Sequence, residues 1–73
     1  MNIPDELLEK WKVLYTPGDS LKMAEQMKEK HPHLKSNYEY FNRAMRDKKC
    51  NDIIFKIIAD FFEAKAEMIK EYL

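Results

Sequence analysis

Residues 35–49, KSNYEYFNRAMRDKK, place two tyrosines and a phenylalanine within four positions and then end in positive charge. Ser36, with Glu39 three residues later, has the pattern of a capping box, in which two side chains satisfy free amides at a helix start. The spacing therefore predicts a helix that opens at about residue 37. Within it Phe41, Ala44 and Met45 share one face with Tyr38 beside them, while Tyr40, Asn42, Arg43 and Arg46 lie off that face. An apolar back with a polar, basic front describes a helix that a small body holds and presents outward.

The residues on either side make this helix the third of four. Pro4 with Asp5 and Glu6 predicts the first helix start, because proline's fixed φ suits the first turn and acidic groups face the positive end of the dipole. Leu7, Leu8, Trp11, Leu14 and Tyr15 fall at helical spacing as its buried stripe. TPGD, residues 16–19, has the type II turn pattern, with Pro second and Gly third. Asp19 or Ser20 is then the expected cap of a second helix, SLKMAEQMKEK, with Leu21, Ala24 and Met27 or Met23 facing inward. Pro32 prevents its continuation. RDKKCND reads as a loop, and Asn51 or Asp52 caps a last helix.

That last helix carries two adjacent apolar stripes. One runs Ile54, Ile57, Phe61, Ala64, Met68 and Tyr72, and the other Phe55, Ile58, Phe62, Ala66, Ile69 and Leu73. Together they cover roughly 200° of the helix, about twice the width a surface helix needs. Three short helices cover part of this surface. The rest predicts a homodimer through the C-terminal helix.

The totals agree with one small all-α domain. The 73 residues contain one Gly, three Pro and a single Val, with 36% charged and 45% hydrophobic side chains, and no stretch alternates as a strand would. A core of this size supplies only about 3–5 kcal/mol of stability. Cys50 is the only cysteine, so no intrachain disulfide forms, and a lone thiol fits a cytoplasmic protein. MNIPDELLEKW lacks the basic and apolar regions of a signal peptide. No apolar run approaches the ~20 residues of a membrane span, so no membrane association is expected.

Net charge is zero, but it is unevenly spread. In residues 22–49, eight Lys and Arg stand against Glu25, Glu29, Glu39 and Asp47, a net +4. Each flanking segment is net −2: Lys10 and Lys12 against Asp5, Glu6, Glu9 and Asp19, then Lys56, Lys65 and Lys70 against Asp52, Asp60, Glu63, Glu67 and Glu71. A basic centre of this kind, with Arg43, Arg46, Lys48, Lys49 and Lys35 around one helix, is what neutralising DNA phosphates requires.

The second and third helices also have the pattern of a helix-turn-helix. A small residue, Ala24, lets a second helix cross closely, and that helix turns its outer face toward a major groove. YFNRAMRDK resembles the recognition-helix segment TVSRALNGK of lac-repressor-type and phage-repressor-type bacterial regulators. Arg43, Ala44 and Lys48 are identical, and Phe41, Asn42 and Met45 take the places of its Val, Ser and Leu. The connector, KEKHPHLKS, is longer than that family's tight turn and lacks its glycine. The resemblance implies duplex DNA as the partner. It places Tyr38, Glu39 and Arg43 where base edges are read, and Tyr40 and Asn42 at phosphates. The basic cluster adds Lys35, Arg46, Lys48 and Lys49 to the phosphate set.

Other chemistries find less support. His31 and His33 flank Pro32, but zinc needs three or four ligands, so they read as solvated loop histidines and no metal or other cofactor is expected. Cys50 follows Lys48 and Lys49 and precedes a helix start, conditions that lower a thiol pKa, yet no base accompanies it. The chain is therefore not expected to be an enzyme. Phe41 belongs to the core, Tyr38 stands between core and surface, and Tyr40 alone points outward, which is too little for a single-strand stacking platform. The competing expectation is a helical protein–protein module that uses the apolar C-terminal helix and binds no nucleic acid.

Overall fold

Pro4, with φ −58° and ψ 140°, sets the chain for α1, Asp5–Leu14. Leu8 and Trp11 are its buried residues, with Leu7, Leu14 and Tyr15 packed half-buried against the same core. The chain then turns through Thr16–Asp19. Gly18 has φ 94° and ψ −11°, values an L side chain rarely adopts but a type II turn requires at its third position. The Asp19 amide closes the turn on the Thr16 carbonyl at 3.1 Å.

Next comes α2, Asp19–Lys30, which buries Met23 and Met27, half-buries Ala24 and leaves Leu21 exposed. The expected inward Leu21 is thus corrected: Met23 and Met27 lie four residues apart and fill the stripe without it. Neither Asp19 nor Ser20 caps this helix, because both side chains are buried in a polar network described below. The helix ends one residue before His31 and two before Pro32.

The third helix, α3, spans Tyr38–Asp47. The capping box does not form. Asn37 is the cap, its side-chain oxygen accepting from the Glu39 amide at 2.9 Å. Ser36 instead donates its hydroxyl to the Ala24 carbonyl on α2. The start is where the sequence places it, but a different residue makes it. Phe41 and Ala44 are buried and Met45 half-buried, as their spacing requires. The helix ends at Lys48, the one non-glycine residue with positive φ among the described residues.

A short strap closes the loop after α3. The Ile3 amide donates to the Lys48 carbonyl at 2.8 Å, and the Cys50 amide donates to the Met1 carbonyl at 3.0 Å. Ile3 itself is buried in the core, so residues 1–3 fasten the end of α3 to the body.

The last helix, α4, Asp52–Glu71, is capped by Asn51, whose side-chain oxygen accepts from the Ile54 amide at 2.8 Å. A computed structural model describes residues 1–71, and within it the chain is an all-α domain of four helices. α2 packs on α3 and α4, and α1 and α3 also pack on α4. Trp11 stacks on Phe62 at 5.9 Å between ring centroids and meets Phe55 at 5.6 Å. Twenty residues of helix run about 30 Å, against shorter body dimensions of 25 and 19 Å. The early part of α4 is therefore covered, with Ile54, Ile57, Ile58 and Phe62 buried. Towards its end Ala64, Met68 and Ile69 are exposed. The apolar excess read from the two stripes collects there; Tyr72 and Leu73 lie outside the described residues.

Candidate nucleic-acid interface

Because Phe41 and Ala44 fix the inner face of α3, residues 39, 42, 43 and 46 emerge together on the opposite side. Glu39, Asn42, Arg43 and Arg46 are all exposed, and with Tyr38 they surround one shallow surface depression. The structure thus brings together the three expected base readers, Tyr38, Glu39 and Arg43, with two of the expected phosphate ligands. Lys35 is exposed just before the helix, and Lys48 and Lys49 are exposed just after it.

The two tyrosines differ from each other in exposure. Tyr38 is 45% exposed, which resolves its position between core and surface in favour of the surface. Tyr40 is half-buried and packs on the core rather than pointing outward. It lines a separate cleft with Arg43, Lys49 and Cys50. The reason is geometric: Tyr40 lies only one position from Phe41 and four from Ala44, so it borders the inner face.

Arg43 enters no ion pair among the described residues. The Arg46 Nε lies 3.2 Å from the neighbouring Asp47 carboxylate, and Lys48 Nζ 3.9 Å from Asp5. Both pairs are largely exposed, so water and salt compete for them and neither withholds its cation from a ligand. Asn42 differs from the rest. Its side-chain oxygen accepts from the Ser20 hydroxyl on α2, which also lies 3.1 Å from the Tyr15 hydroxyl.

Ser20 belongs to the network that the sequence did not reveal. Asp19, 1% exposed, accepts from the Thr16 amide at 2.9 Å, the Thr16 hydroxyl at 3.1 Å and Lys65 Nζ at 2.5 Å. Burial works to raise its pKa, but the donors from Lys65 and Thr16 outweigh it and hold the carboxyl below its ordinary value. Through Asp19 and Ser20, the first turn of α2 is tied both to α4 and to the outer face of α3.

Burial pushes the Cys50 thiol pKa up, with Asp52 adding to the rise and the nearby terminal ammonium opposing it. The lowering expected from Lys48, Lys49 and the following helix start is therefore corrected: half-burial sets the direction. His31 is half-buried and His33 exposed, and no set of three His, Cys, Asp or Glu is grouped to hold a metal ion among the described residues. No described helix is long and apolar enough to cross a membrane.

Lys12 is the residue at this surface that sequence reasoning missed. It sits in the last turn of α1, three residues before Tyr15, and borders a cleft with Asn42 and Arg46 of α3. Its spacing from Tyr15 is a weak signal, and only the cleft that the end of α1 shares with α3 gives it meaning. No protein-family model, curated protein or solved structure matches the chain.

Proposed function

We propose that this domain binds duplex DNA through the outward face of α3, as a small repressor-like, cytoplasmic transcription regulator of helix-turn-helix type. The observation that supports it is the segregation of that helix. Its apolar side is spent on the core, and its exposed side joins an unpaired Arg43 to Arg46, Asn42, Glu39 and Tyr38. An arginine at such a position can donate bidentately to guanine, while Tyr38 and Glu39 reach neighbouring edges. Lys35, Arg46, Lys48 and Lys49 sit at both ends to hold phosphates, which position the helix without reading sequence. A second copy docked along the exposed end of α4 would present two such helices to a two-fold site.

A salt series on a labelled mixed-sequence duplex tests this. The logarithm of the binding constant should fall linearly with the logarithm of salt, by about 0.9 per phosphate engaged. Arg43→Ala is expected to cost about 1–3 kcal/mol and to relax preference at one base position. A binding constant indifferent to salt, or an Arg43→Ala chain that binds like the parent, contradicts the proposal.

The second reading is a helical protein–protein module that uses α4 and binds no nucleic acid. Met68 and Ile69, 61% and 42% exposed, support it. Loss of self-association or partner binding on Met68→Glu, in a chain that shifts no duplex, is the outcome that would favour it.

A further inference from the structure

Lys12 of α1 and Tyr15, the residue just after that helix, face Asn42, Met45 and Arg46 of α3 across an open cleft of about 420 Å³. That is many times the ~30 Å³ share of one water, so a hydrated phosphate fits. No carboxylate lines it. Two cations from different helices flank an amide and a hydroxyl, and the Met45 side chain and Tyr15 ring supply apolar wall.

The hydrogen bonding behind the cleft gives the amide a direction. A serine hydroxyl has one hydrogen, and Ser20 gives it to the Asn42 side-chain oxygen. Tyr15 must therefore be the donor in its 3.1 Å contact with Ser20. With its carbonyl turned to α2, Asn42 offers the outside its two N–H donors. Bidentate reading of adenine needs the carbonyl as well, so this asparagine is set to meet an acceptor, not to read a base. Lys12 is exposed and enters no ion pair among the described residues. The Arg46 pair with Asp47 uses only Nε, leaving the rest of the guanidinium free.

We infer that the α1–α3 cleft seats one backbone phosphate of duplex DNA, held by Lys12, the Asn42 amide and Arg46. Ser20 acts as a positioning residue for that amide. This rests on the proposed DNA-binding role of α3 and adds to it a contact from a helix outside the helix-turn-helix pair.

Lys12→Ala and Lys10→Ala, compared by duplex anisotropy across a salt series, test the seat. Both remove one positive charge from exposed positions on α1, but Lys10 borders the groove between α1 and α4. Lys12→Ala is expected to weaken binding roughly five-fold on every sequence and to reduce the salt slope by about 1. Lys10→Ala should leave both unchanged, and both chains should melt like the parent. Equal losses from the two variants would reduce the effect to net charge and overturn the seat, as would a Lys12→Ala chain that binds like the parent. A parent chain that shifts no duplex overturns the DNA reading and the seat together.

Discussion

Replacing Phe41 by alanine is expected to leave this chain largely unfolded in dilute buffer. Phe41 has no exposed surface, and emptying such a site costs about 3–5 kcal/mol through lost transfer energy and the cavity left behind. A domain of this length has only about 3–5 kcal/mol to lose, so the folded and unfolded populations become comparable. Circular dichroism with urea titration would measure it. Phe41→Leu, which keeps most of the volume, should cost less than about 1.5 kcal/mol and still bind duplex. If Phe41→Ala melts like the parent, the core does not clamp α3 in the way described here. The pair of variants separates loss of the helix's anchor from loss of its outer contacts, because neither substitution touches the exposed face.

Asp19→Ala should be the most damaging change to a polar side chain, at about 3 kcal/mol, the low end for breaking a buried ion pair. The low end applies because Lys65 is 21% exposed and can turn its ammonium to water, whereas the Thr16 amide and hydroxyl lose their acceptor outright. The same carboxylate makes stability sensitive to acid. Its pKa in the folded chain lies below the ordinary value of 3.8, so folding favours the ionised form. The contribution is complete above the unfolded pKa and is lost as pH falls through the lower folded one. Urea midpoints should therefore drop as pH falls below about 4, and Asp19→Asn should flatten that part of the curve while lowering stability at neutral pH. An Asp19→Asn chain as stable as the parent at pH 7 would contradict this assignment.

What the sequence shows well is whatever the backbone decides locally. Pro4, the turn at Thr16–Asp19, Pro32 and Asn51 punctuate the chain through φ restrictions and capping chemistry that act within four residues. The starts of α1, α2 and α4 and the ends of α1 and α2 fall beside them. The buried stripe of α3 was equally plain from its spacing. The failures involve side chains whose partners are distant in sequence. Asp19 and Ser20 look like caps because a local rule says so, yet their partners are Lys65 and Asn42, 46 and 22 residues away. Ser36 satisfies the capping-box pattern but bonds Ala24, 12 residues back. Helical periodicity also gives a residue's angle but not which neighbour will cover it, and so Tyr40 is half-buried where an outward ring was expected and Leu21 is exposed where an inward one was. The outward set on α3 was legible because it is the complement of a clear stripe. Lys12 was not, since its role depends on where another helix lies.

Two serine bonds, from Ser20 of α2 to Asn42 of α3 and from Ser36, just before α3, to Ala24 of α2, have a consequence for the segment that joins these helices. In a tight helix-turn-helix, a few turn residues with fixed backbone angles decide how the helices cross. Here the crossing is clasped from the side, by Ser20 on Asn42 and by Ser36 on Ala24, over the contact of Met23, Met27 and Phe41 in one shared core. Residues 31–35 are left to span a gap and not to set an angle. Closing a loop grows costlier only slowly with its length, by about 0.6 kcal/mol per doubling. A connector under so little demand is free to vary in length and composition while the front of α3 stays where it is.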